Sequence, residues 1–217
     1  MSRLLAGIPL AEFALLHAAP IEGHGLEDLG VQALGVGKVA AALRCAGLVR
    51  ERPHTRAVLL FGVAGAFPAR HRADAPPAAI GDLAIVGSDG FGDEGVDTPD
   101  GFLDLGAMQL ADVGPFPADP RLGAAAGELL AAPIVRGTTV STCSGTDAAS
   151  QRLRARTGAD VETMEGAAVA LVCRQFELPL LHVRAISNWT GDRDRGEWQL
   201  GAAVDAVQRA VRRLLRA

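Results

Sequence analysis

The sequence predicts one α/β domain with a mostly parallel or mixed β-sheet flanked by helices. Three observations carry this. Short apolar runs of β type alternate with longer helical patterns. One run, Leu180–Ile186, is hydrophobic at nearly every position, as expected of a strand covered on both faces. The chain has 217 residues, 49% hydrophobic and 21% charged, which suits a single domain (1–217) burying roughly 70% of its unfolded surface. That composition excludes a disordered or fibrous chain.

The β-type runs are Leu4–Ile8, Val31–Leu34, Ala57–Phe61, Leu83–Val86, Ile134–Val140 and Leu180–Ile186. The opening, MSRLLAGIPLAEFALLHAAP, begins like a secretory leader, but Glu12 interrupts its apolar run. A strand, a turn and a helix with Glu12 in its first turn explain it without cleavage. Gly37–Val49 is Ala/Leu-rich and helical. Asp119–Ala131 opens on Asp-Pro, a cap followed by a residue tolerated in the first turn. Thr146–Ala155 follows Ser-Gly. Met164–Phe176 is apolar on nearly every side and predicts a buried helix. Glu197–Arg216 is amphipathic and ends in arginines that suit a helix C-terminus. Pro68–Ala79 and the acidic, glycine-rich Gly87–Gly101 are expected to be irregular.

Net charge is −4, so a basic nucleic-acid footprint is absent. Aromatics are 4% with no Tyr, which disfavours base-stacking platforms for long single strands. Cys45, Cys143 and Cys173 are widely spaced, supporting neither a disulfide framework nor a structural zinc site. The acids of Gly87–Gly101 do not follow a calcium-loop pattern. No metal, no cofactor, no membrane span and a reducing, cytoplasmic setting are expected.

Gly35-Val-Gly37-Lys38-Val-Ala40 matches a dinucleotide-binding fingerprint, yet the next strand ends in Leu-Phe-Gly without the acid such a site needs. Val39 after Gly37-Lys38 excludes a P-loop. Phe61-Gly-Val-Ala-Gly-Ala-Phe67 reads as a second glycine turn after a strand, where α/β folds bind ligands. A Cys143 nucleophile with His182 as base has nothing to place the two together, and a buried Cys is usually inert.

The informative stretches are Glu162-Thr-Met164-Glu165-Gly-Ala-Ala and Val183-Arg184-Ala-Ile-Ser187-Asn188. Glu165 opens an apolar helix after a short strand, where an ionised carboxylate is favoured by the helix N-terminus but costly to bury without donors. It is either a capping glutamate or a site group. Asn188 ends an apolar strand and is either a turn residue or a site group.

In this order, Gly35-Val-Gly-Lys-Val-Ala-Ala-Ala42, Phe61-Gly-Val-Ala-Gly65, Ile80-Gly-Asp-Leu83, Met164-Glu165 and Val183-Arg-Ala-Ile-Ser-Asn188 resemble the purine nucleosidase/phosphorylase family. The general pattern is similar to the methylthioadenosine/S-adenosylhomocysteine nucleosidases. The resemblance implies a mixed sheet flanked by helices, a nucleoside substrate and a homo-oligomer, most simply a dimer. It assigns water activation to Glu12, the ribose hydroxyls to Glu165 and the underside of the sugar to Met164. The turn Gly7-Ile-Pro-Leu-Ala-Glu12 offers a carboxylate where phosphorylases of the family place a phosphate site, so water is the expected nucleophile.

Two departures refine this. Adenine-specific relatives carry aspartate where Asn188 stands. An amide has no labile proton to give, but it donates to a carbonyl and accepts with its oxygen, which suits a 6-oxopurine. Val63 replaces a serine of those relatives. Asn188 with Arg193-Asp-Arg195-Gly-Glu-Trp198 resembles the futalosine hydrolase branch, implying release of hypoxanthine within the futalosine route to menaquinone. Ser141–Thr146, with Ser144 and Gly145, would face the base, although no stacking aromatic stands there. Ser187 belongs to the same binding motif. Arg193 and Arg195 would pair with the substrate's aromatic carboxylate or order their own loop. The rivals are a methylthioadenosine-type nucleosidase, a nucleoside phosphorylase and a non-catalytic nucleoside binder.

Overall fold

The computed structural model describes residues 4–192 and 198–216. Its strands in chain order are β1 (Leu4–Leu5), β2 (Ile8–Pro9), β3 (Phe13–His17), β4 (Gln32–Ala33), β5 (Ala57–Ala66), β6 (Leu83–Phe91), β7 (Gly95–Thr98), β8 (Gly101–Asp104), β9 (Phe116–Pro117), β10 (Ile134–Thr139), β11 (Val161–Thr163) and β12 (Leu180–Trp189). Its helices are α1 (Pro20–Gly23), α2 (Lys38–Glu51), α3 (Pro120–Leu130), α4 (Asp147–Thr157), α5 (Gly166–Gln175) and α6 (Leu200–Leu214). Among the described residues no helix is long and apolar enough to cross a membrane.

The main sheet runs β11-β10-β6-β12-β5-β3-β4, with β9 on β6. It is mixed. β3, β4, β5 and β12 are parallel, while β12 meets β6 antiparallel. β11 also pairs antiparallel with the far end of β5, through Val161–Ala66 and Glu162–Gly65, so the sheet curls and both edges of that end meet one strand. One core lies between the sheet and α3 and α6, around Leu59, Phe61, Ile85, Leu181 and Val207. A second lies under α2 and α5, around Leu16, Leu48, Leu60, Val169 and Cys173. The fully covered strands are near-continuous apolar runs, as burial on both faces requires.

Caps fix the helix starts. Asp119 accepts from the Arg121 and Leu122 N–H groups, with Pro120 in the first turn, and Thr146 accepts from Ala149 N–H. The α5 N-terminus is served indirectly. Gly166 and Ala167 donate to the Thr163 and Thr139 hydroxyls, which donate in turn to buried Asp89. Glu165, at the N-cap, makes no cap bond with its side chain and is left free for other work.

Three expectations are corrected. Leu4–Ile8 is not a sheet strand but a small hairpin, β1–β2, because Gly7 and Pro9 break the run. The first sheet strand is β3, and Glu12 lies in a 3-10 turn before it. Phe61–Phe67 is no turn. β5 continues to Ala66, with Gly62 and Gly65 admitting side chains from neighbouring segments. Gly87–Gly101 is mostly ordered, comprising the end of β6 and the β7–β8 hairpin.

Burial pushes the Asp89 carboxyl up to about 7, against the Thr139 hydroxyl and the Arg184 charge. A carboxyl raised on folding binds its proton more tightly in the native state. Its contribution to stability is therefore full below the ordinary value of 3.8 and is lost as pH rises through about 7. In denaturant unfolding between pH 4 and 8, the wild-type protein should lose stability relative to Asp89→Asn as pH rises. Parallel curves for the two would show that Asp89 folds in its ordinary ionised state.

Candidate active site

The β3–β5 ladder ends at Leu16–Leu60, while β5 runs on to Ala66. β5 therefore overhangs β3 and presents unpaired backbone groups on that side. β3 passes into α1 through Ala18-Ala19-Pro20, and the third residue of the helix is Glu22. Its Oε2 accepts from Ala18 N–H at 3.0 Å and Ala19 N–H at 2.9 Å. Its Oε1 accepts from Val63 N–H on the overhang at 2.9 Å. Glu22 is 3% exposed. A side chain at Gly62 would strike Glu22 Oε1 and Arg184 Nη1, so glycine there is a condition of the arrangement.

Arg184, on β12, is fully buried. Its Nε donates to His182 Nε2 at 2.7 Å and its Nη1 to the Val63 carbonyl at 3.2 Å. Its Nη2 has no hydrogen bond and lies 3.5 Å from Glu165 Oε2. Burial and the Arg184 charge hold His182 well below its ordinary value, so it faces the guanidinium as a neutral acceptor. Glu165 Oε1 accepts from Gly37 N–H at 3.0 Å. Gly37 has φ +94°, so the glycine fingerprint of the sequence serves an internal carboxylate. Burial raises Glu165, while Arg184 and the Gly37 N–H oppose the shift.

At the far end of β12, Asn188 Oδ1 accepts from the Ser187 hydroxyl at 2.8 Å and Nδ2 donates to the Trp189 carbonyl at 2.9 Å. One amide hydrogen and one oxygen lone pair remain for a ligand. Across β5 stands Glu162, 6% exposed. It accepts from Ser144 N–H at 3.0 Å and from the Ser144 hydroxyl. Burial raises its carboxyl, and Ser144 and the Cys143 thiol oppose the shift.

These groups enclose one cavity of about 480 Å³, of the size that small-molecule sites take. Of the residues singled out in the sequence, the structure brings Glu165, Asn188, Met164, Ser144, Gly145, Val63 and Ser187 to its wall. Glu12 is not among them. It sits before the opposite end of β3, half exposed, 3.4 Å from Arg56. Arg193 and Arg195 lie outside the described residues. Cys143 lines the cavity, but His182 is turned to Arg184, so no thiol–imidazole pair forms. Sequence reasoning missed Glu22 and gave no role to Arg184, Glu162 or the indoles of Trp189 and Trp198, which also line the wall. The signal for Glu22 was present. Phe13-Ala-Leu-Leu16 is an unbroken apolar run, and Pro20 followed by Glu22 marks a helix start shortly after it.

The chain matches the phosphorylase superfamily profile over residues 23–217. It is 34% identical over 206 residues to the futalosine hydrolase of Thermus thermophilus, covering 94% of this chain and 87% of the relative. It is 37% identical over 200 residues to that of Streptomyces coelicolor, covering 88% and 80%. A methylthioadenosine/S-adenosylhomocysteine nucleosidase of Colwellia psychrerythraea in complex with adenine shares the fold, with a TM-score of 0.77 at 22% identity and 94% coverage of both chains. With its fold, its cavity and these likenesses taken together, the chain belongs to the phosphorylase superfamily and, within it, to the futalosine hydrolase family of nucleosidases.

Proposed function

We propose that this chain hydrolyses the N-glycosidic bond of futalosine, releasing hypoxanthine and leaving dehypoxanthine futalosine for menaquinone synthesis. The observation that carries the reading is the seating of Glu22 on three backbone N–H groups in one cavity with Glu165 and Asn188. The relatives named above support the substrate. In this reading Glu22 takes the role that the family resemblance assigned to Glu12.

A carboxylate has about four lone-pair sites. Three are taken, and the last, on Oε1, is available to a water molecule in the cavity. Arg184 Nη2 is a second group for that water. As the water oxygen closes on the sugar C1′, Glu22 takes its proton. The C1′–N9 bond breaks and its electron pair passes into the purine. Glu165 accepts from the ribose hydroxyls, and Asn188 donates its amide hydrogen to O6, where negative charge gathers. The base then takes its proton from solvent.

The same geometry favours hydrolysis over phosphorolysis. Three convergent backbone N–H groups make an anion site, but here Glu22 already fills it and its charge opposes phosphate. Hypoxanthine release from futalosine should therefore be unchanged by added phosphate and faster than base release from methylthioadenosine. Dependence on phosphate, or a preference for methylthioadenosine, overturns the reading.

Glu22→Gln should lower kcat by about 10²–10⁴, the range for loss of a general base, with little change in KM. Glu12→Gln, a change at a half-exposed ion pair, should alter turnover by no more than about twofold. Steady-state kinetics on the two variants separate the assignments, and a rate in Glu22→Gln like that of the wild type removes Glu22 from the chemistry. Asn188→Asp should shift kcat/KM towards 6-aminopurine nucleosides by about tenfold or more, read as the ratio for inosine and adenosine.

A further inference from the structure

Gly65 of β5 is paired on one side with Asn188 of β12 and on the other with Glu162 of β11. Residues paired across strands present their side chains to the same face. An amide and a carboxylate therefore rise on either side of a residue that has no side chain, with their Cα atoms about 10 Å apart by sheet spacing. A Cβ at Gly65 would lie 3.2 Å from Asn188 Nδ2 and 3.0 Å from Thr190 Cγ2. Glycine thus keeps the gap open, and Gly65, Asn188 and Glu162 all line the cavity.

Asn188 keeps one amide hydrogen and one oxygen lone pair. A 6-oxopurine presents two neighbouring atoms of opposite character, the O6 acceptor and the N1–H donor, and the carboxylate across Gly65 is the stronger acceptor for the second. We infer that Glu162 is a specificity-determining residue, accepting the N1–H of the 6-oxopurine while Asn188 donates to O6. Adenine reverses both atoms. Its amino group would meet the amide hydrogen, and its N1 lone pair would meet the carboxylate. Polar groups left opposed or unpaired in this way reject the wrong base strongly. Ser144 N–H is shared between the two Glu162 oxygens, so its bonds to Ser144 hold the carboxylate in orientation without exhausting its lone pairs. This inference rests on the 6-oxopurine reading above.

The test is binding of free bases by calorimetry to the full chain, with hypoxanthine and adenine as probes. Wild-type protein should favour hypoxanthine, and Glu162→Gln should shrink that preference by about 10–100-fold, because its oxygen stays with Ser144 and its NH2 turns to N1. Ser144→Ala, which loosens the tether but keeps the carboxylate, should weaken both bases together. If Glu162→Gln also weakens both equally, Glu162 only anchors the Ser144 loop and the inference is overturned. A second measurement needs no variant. The N1 proton of hypoxanthine labelled with ¹⁵N at N1 should be protected from water exchange and shifted downfield when bound to the wild-type protein, and free exchange overturns the inference. If the protein favours hypoxanthine through Glu162 yet releases nothing from futalosine, the nucleoside assignment fails and this one stands. If it binds hypoxanthine no better than adenine, this one fails whichever nucleoside is cleaved.

Discussion

The site depends on one mismatch of strand lengths. β5 extends past the last pairing residue of β3, which leaves Val63 N–H without a ladder partner on that side. The turn from β3 into α1 leaves the Ala18 and Ala19 N–H groups, just before the helix, to be satisfied by a side chain. Glu22 closes both deficits with a single carboxylate. Buried donors and a buried acid are each costly alone, and here each removes the cost of the other. The carboxylate at the cavity wall is thereby held by three backbone N–H groups.

Among the described residues, charge in the cavity is arranged around one buried cation. Arg184 lies between Glu165 and the Glu22 clamp, with a neutral imidazole behind it. Neutrality of His182 matters because a second positive ring at 2.7 Å would push the guanidinium away. Asp89 stands 3.9 Å behind His182 and also gathers the hydroxyls that satisfy the α5 N-terminus. Glu165 is thus free of capping because another acid, deeper in the sheet, gathers the hydroxyls that serve the α5 N-terminus.

The sequence was most legible where local chemistry decides structure. Asp119-Pro120 caps the helix it was expected to cap, and the helix expected from Thr146 starts there, with Thr146 as its cap. Leu180–Ile186 lies within the central strand, and Asn188 stands near its end beside the cavity. Sequence reading failed where two segments compete by similar apolar content. The sequence reads Leu4–Ile8 as the strand and the segment after Glu12 as a helix, and only sheet pairing shows Phe13–His17 to be the sheet strand. Taking the earlier run as the first sheet strand singled out Glu12, whereas the carboxylate that follows the first sheet strand into the cavity is Glu22. Glu162 was quoted without a role, because its task depends on the β11–β5 pairing, an antiparallel contact nearly one hundred residues apart in the chain. Gly62 and Gly65 read as a turn because glycine is usually conformational. Here both are about space, giving room to Glu22 and Arg184 in one case and to Asn188 in the other.

The lysine that follows the glycine fingerprint carries no phosphate role. Lys38 reaches from the start of α2 to Asp93 at 2.5 Å and Glu94 at 2.6 Å, and only 11% of its side chain is exposed. It is the sole lysine among 21 basic residues. A peptidase that cuts only after lysine therefore has one target in this molecule, and that target is locked into a clamp holding the base of the β7–β8 hairpin. Cutting must wait for the clamp to let go, so the fragmentation rate becomes a clock for the opening of that corner of the fold.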